Sequence, residues 1–119
     1  MDALQKKMLI EAGIDVDDAL ARFMNNEMLL ARFMKKFPAD TEINTLQEAI
    51  KANDAQTALA SSHTLKGMCS NLSMMTLTRL FTDQVSAFRN DDFTAAAGMM
   101  PDILTAYQTV VDAIRRCWG

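Results

Sequence analysis

The run His63-Thr64-Leu65-Lys66-Gly67-Met68-Cys69-Ser70-Asn71-Leu72 decides how the rest of the chain is read. At about 100° per residue on a helical wheel, Ala58, Met68, Cys69 and Leu72 all fall within about 60° of Leu65, a stripe suited to a core. His63, the one histidine in the chain, falls on the opposite side. Lys66, Gly67 and Ser70 follow it at helical spacing and share its face as stacked neighbours. The glycine is the informative member of this set. Inside a helix it costs about 1 kcal/mol relative to alanine, and no helix end is predicted here, so the position predicts a need for open space.

These residue types point to phosphoryl acceptance. An exposed imidazole is largely uncharged near neutral pH and offers a ring-nitrogen lone pair as nucleophile. Lys66, one turn on, is placed to neutralise phosphoryl oxygens, and Gly67 leaves room for a partner's active site to approach. A lone histidine on a helix is by itself an ordinary solvated residue. The mid-helix glycine and the neighbouring cation set this one apart.

The stretch HTLKGMCSNLS resembles the signature of the histidine-containing phosphotransfer (HPt) domain family: a histidine, then Leu-Lys-Gly, then a small residue, then Leu-Gly at the turn. Gly13 to Phe23 is similar to the opening that often precedes such domains, so the likeness covers most of the chain. The resemblance implies that His63 is the phosphorylated residue, Lys66 its charge partner and Gly67 the gap through which a receiver domain docks, with Ser70 on the same face. It also implies a Glu or Gln on the following helix that holds the other imidazole nitrogen; Gln84 lies about one position from the usual spacing. Ser73 stands where the family usually has the glycine that ends the helix.

Composition narrows the alternatives. The chain has 119 residues, half of them apolar, with only four glycines and two prolines, which suits one domain over residues 1–119 with a single core. Leucine, alanine and methionine outweigh valine and isoleucine, which favours helix over sheet. A net charge of −3 with acids and bases interleaved gives no basic stripe for a nucleic acid. No apolar run is long enough for a membrane span and the first residues carry no leader pattern, so a cytoplasmic protein is expected. Cys69 and Cys117 lack a metal-type spacing and are expected as free thiols, and with a single histidine no zinc site is expected. No cofactor is called for, and no Gly-rich phosphate loop or kinase signature is present.

Along the chain, residues 2–12 read as a short helix with Leu4, Met8 and Leu9 inward, ended by Gly13. Asp15 caps a second helix whose inner face is Leu20, Phe23 and Met24. Met28, Leu29, Leu30, Phe33, Met34 and Phe37 run at helical spacing up to Pro38. A helix from Asp40 or Thr41 carries Ile43, Leu46 and Ile50 and closes at Asn53. Asp54 caps the histidine helix, and Met75 to Arg89, with Leu77, Leu80, Phe81, Val85 and Phe88, reads as its antiparallel partner. Asn90-Asp91-Asp92 is the next turn, and Gly98 and Pro101 interrupt the last helical segment. The ten methionines are expected mainly as core filling, with Met74 and Met75 as candidates for an exposed docking surface. Arg32, Lys35 and Lys36 form a basic patch expected to be a solvated face.

The expected architecture is all-α: an antiparallel four-helix bundle with additional short N-terminal helical segments. The expected function is a monomeric phosphohistidine carrier between receiver domains of a hybrid sensor kinase and a response regulator, without kinase activity of its own. The rival expectation is a helical interaction module that binds and inhibits a kinase or receiver without accepting phosphate.

Overall fold

In the computed structural model, which describes residues 1–119, the chain forms eight α-helices. They are α1 (Ala3–Glu11), α2 (Val16–Arg22), α3 (Glu27–Lys36), α4 (Glu42–Lys51), α5 (Ala55–Asn71), α6 (Met75–Arg89), α7 (Phe93–Gly98) and α8 (Met100–Trp118), with a 3-10 turn at Phe37–Ala39. Short acidic or amide side chains start many of them. Asp2, Asp15, Asn26, Asp54 and Asp92 each accept a hydrogen bond from a backbone N–H in the first turn, satisfying a donor that the helix leaves unpaired.

The connections are short because a single left-handed residue reverses the chain at most of them. Gly13, Asn25, Asn53, Ser73 and Asp91 all have positive φ, and so does Met24. Asn and Asp tolerate that region through local hydrogen bonds and glycine through its missing Cβ. Helices α4, α5 and α6 are thereby laid side by side, each antiparallel to the next, and α8 closes the bundle against α3 and α6. Pro101 sits in the first turn of α8, where a missing N–H does no harm, and α7 is a separate short helix before it.

The core runs through the bundle as one cluster. Leu46 from α4, Ala58, Leu65 and Cys69 from α5, Leu77 and Phe81 from α6, and Ile103 from α8 have no measurable exposure. Each large side chain among them contributes about 1.5–3 kcal/mol by leaving water. Burial pushes the Cys69 thiol up to about 12, so it stays protonated and acts as a small apolar group. Cys117 is also a free, buried thiol, pushed up by its burial and by Asp2.

The N-terminal helices are fastened to the end of α5. The Asp15 N–H donates to the Ser73 carbonyl at 2.9 Å, and the Met75 N–H donates to the Gly13 carbonyl at 2.8 Å. Ser73 Oγ donates to Asp18 Oδ2 at 2.6 Å. At the other end of α1, Gln5 Nε2 donates to the Cys117 carbonyl at 2.9 Å, which ties the segment to α8.

Several apolar residues expected inside are outside. Leu4 is 66% exposed, because Leu9 alone fills the inward position of α1. Met24 is 88% exposed, since the left-handed turn after α2 swings it out and Val16 and Ala19 supply the inner face instead. On α3 the stripe Leu30, Met34 and Phe37 is buried, leaving Met28 and Phe33 on the surface. At the α5–α6 turn Met75 is exposed as expected, but Met74 is fully buried in the core cluster, with its backbone bridged to Ile14.

Gly13→Ala is expected to destabilise the fold by about 2–4 kcal/mol in urea unfolding, because φ is +91° and a Cβ there would collide with Thr76 Oγ1 and Cβ. Asp18 supplies a pH signature. Hydrogen bonds from Ser73 and then Arg22 hold its carboxyl below the ordinary carboxylate range. A depressed acid favours the folded state above its unfolded value, and that contribution disappears as pH falls through the folded value. The stability gap between wild type and Asp18→Asn should therefore shrink on acidification below the ordinary carboxylate range, as read by urea midpoints across that interval.

Candidate functional site

Helix α5 buries Ala58, Ser61, Ser62, Leu65 and Cys69, and this one-sided burial turns His63 and Gly67 to solvent. The His63 side chain is exposed and makes no hydrogen bond or ion pair with the rest of the chain. Lys66 and Ser70 are partly exposed on the adjoining flank. Lys66 has no carboxylate within 4.0 Å; the ion pairs of the chain are Met1–Glu27, Lys6–Asp17, Lys7–Glu11 and Arg22–Asp18. An unpaired ammonium one helical turn from a free imidazole is available for an incoming anion. A Cβ built on Gly67 meets no atom within 4 Å, so the notch beside His63 is open to solvent.

Gln84 is not part of this face. It is fully buried between helices, where its Oε1 accepts from Ser62 Oγ at 2.8 Å and its Nε2 donates to the Ala96 carbonyl at 3.0 Å and to Met100 Sδ at 3.2 Å. Both Nε2 hydrogens are used and Oε1 already accepts from Ser62 inside the core, while His63 stands on the solvent side of α5, and no hydrogen bond joins the two. The expectation that Gln84 contacts the phosphoryl group or a partner is corrected on that ground. Its role is to satisfy Ser62, the residue before His63, and to join α5 to α7 and α8 in a dry interior where an unpaired amide would cost about 1–3 kcal/mol.

Further down the same helix the surface becomes apolar. A groove of about 580 Å³ opens beside Met68, Asn71 and Leu72, with Phe23, Phe33 and Phe37 as its far wall. Phe23 and Phe33 pack with ring centroids 5.3 Å apart. Arg22, Lys36 and Asp40 complete the lining, and Lys36 Nζ stands 4.9 Å from the centre of the Phe33 ring. Asn71 lies two helical turns beyond His63, about 12 Å along the axis, with Gly67 between them. Arg32, Lys35 and Lys36 on α3 are exposed and take no ion pair; Arg32 and Lys35 stay clear of this groove, whereas Lys36 belongs to its lining.

The groove is not visible in the periodicity, which assigns Phe23, Phe33 and Phe37 alike to the core. Only Met28 lies off the stripe shared by Leu30, Met34 and Phe37; Phe33 falls within about 60° of Leu30, so its place on the groove leaves no mark in the period. No cluster of His, Cys, Asp and Glu suited to a metal ion is present, and no helix is long and apolar enough to cross a membrane.

The family described as the Hpt domain matches residues 29–116, which includes the whole histidine helix and leaves α1 and α2 outside the match. No curated protein and no solved structure matches the chain. Hpt domains are helical bundles that act as phosphocarriers, rather than enzymes, in His–Asp phosphorelays and interact there with receiver domains and response regulators. A match over most of its length, joined to the helical bundle and the exposed His63-Lys66-Gly67 face, makes this chain a member of the Hpt domain family.

Proposed function

We propose that the chain is a monomeric, single-domain, cytoplasmic carrier that takes a phosphoryl group onto His63 from a receiver-domain aspartate of a hybrid sensor kinase and delivers it to a response regulator. The observation that carries this reading is the free imidazole beside an open notch: the ring nitrogens have no competing partner and the approach over Gly67 is unobstructed.

In the forward step a ring-nitrogen lone pair of His63 attacks phosphorus. A P–N bond forms as the P–O bond of the acyl phosphate breaks, and the receiver's aspartate leaves as carboxylate. The reverse of the same step loads the next receiver. The receiver supplies Mg²⁺ and most of the catalytic groups, while this chain contributes the nucleophile, the position and one cation. Lys66 approaches the equatorial oxygens from the adjoining flank and offsets their charge in both directions of transfer. Ser70, a turn beyond, borders the docked surface. The groove past Gly67 gives the receiver an apolar seat with a cationic rim, and nearby burial excludes water from the reacting atoms.

Incubation with a phosphorylated receiver is expected to label the wild type with an acid-labile, base-stable phosphate and to leave His63→Gln unlabelled. Equal labelling of His63→Gln, or no label on the wild type, would contradict the carrier role and favour a binding module. Lys66→Ala is expected to slow transfer about tenfold without abolishing it, and a full-speed variant removes Lys66 from the site. Gly67→Ala should raise the urea midpoint, by up to about 1 kcal/mol of stability, because nothing inside the bundle opposes the methyl group. Gly67→Arg should fold and yet fail to exchange phosphate; unchanged transfer in that variant would contradict the docking role of the notch.

A further inference from the structure

One carboxylate oxygen links the rim of the groove to the turn that ends the histidine helix. Asp18 Oδ2 accepts from Ser73 Oγ at 2.6 Å and from Arg22 Nε at 2.9 Å. Ser73 is completely buried with φ +54°, a backbone conformation that glycine adopts at lower cost, so the hydroxyl and not the shape accounts for serine at this position. Ser73 directly follows Leu72, which lines the groove, and Arg22 lines the opposite side.

Arg22 uses only its Nε within the chain. Its side chain is 49% exposed, and its terminal guanidinium N–H groups have no partner. They lie on a rim where Lys36 is a second cation and Asp40 the single acid. Such a rim matches a carboxylate presented at the edge of an apolar surface, because a guanidinium held at its Nε keeps its outer fork oriented for a bidentate anion.

Resting on the carrier reading above, we infer that Ser73 and Asp18 are positioning residues that hold Arg22 at the mouth of the groove, where its free N–H groups take a carboxylate of the docking receiver and so select among receivers. The device acts on docking, not on the chemistry at His63. Selection by one oriented cation changes the concentration of receiver needed, while the maximal transfer rate stays with His63 and Lys66.

The test measures transfer from a phosphorylated receiver to the full chain over a range of receiver concentrations, at low and high salt. Arg22→Gln and Ser73→Gly are each expected to raise KM about three- to tenfold, with the maximal rate within about twofold of wild type. Both should flatten the rise of KM with salt, and the double variant should add little to either one. Arg22→Gln changes an exposed side chain and decides the matter if Ser73→Gly fails to fold. Wild-type KM and salt dependence in Arg22→Gln, or fully additive effects in the double variant, would overturn the inference. Potassium phosphoramidate, which labels an accessible histidine without a docked protein, separates the two levels. An unlabelled wild type overturns the carrier reading, whereas a labelled wild type with unchanged KM in the variants overturns only the positioning of Arg22.

Discussion

Helix α5 can bury only one stripe of its surface, and it buries Ala58, Leu65 and Cys69 completely. Everything distinctive about the molecule follows from that constraint. With those positions fixed in the core, helical geometry leaves His63 and Gly67 no place except the solvent side, and Lys66 and Ser70 the border between. Burial free energy thus orients a polar face that gains nothing for stability itself. The flanking helices reinforce the orientation, since Ser62 is held from behind by a fully buried Gln84 whose amide spans three helices.

The same face concentrates the features that a fold selected for stability alone would avoid. Gly67 interrupts a long helix without any packing reason, and an ammonium stands without a counterion beside an unpartnered imidazole. Met24 and Asn25 occupy left-handed backbone in succession directly after Phe23, which lines the groove. Local departures of this kind, gathered on one side of an otherwise well-packed bundle, mark where a partner replaces water. The N-terminal helices belong to the same design: outside the family match, they supply Arg22 and Phe23 to the groove and are anchored at both ends, on the α5–α6 turn and on α8.

Much of this was legible in the residues because the relevant forces are local. The bounds of α6 follow from a clean apolar period between two turns, Gly13 and Asp15 mark a stop and a start within three residues, and Pro101 marks the first turn of α8. The outward side of α5 was readable for the same reason. Gln84 was misplaced because its partners Ser62, Ala96 and Met100 come from three other stretches of chain, and no periodicity encodes such a meeting. The Ser73–Asp18 hydrogen bond joins residues 55 positions apart and was equally invisible. Leu4, Met24, Met28 and Phe33 read as inward from the sequence because an apolar residue at helical spacing looks the same whether it faces a core or a groove.

A single histidine makes the decisive measurement a direct one. Nitrogen-edited NMR of the imidazole, followed while a phosphorylated receiver is added, reports on the ring that is claimed to carry the phosphate. With phosphate carried on His63, one ring nitrogen moves to the position of a phosphoimidazole as the protein gains one phosphoryl group. Ring signals that stay unchanged while the receiver loses its phosphate, or a phosphorylated protein with an unaltered imidazole, would contradict carriage on His63.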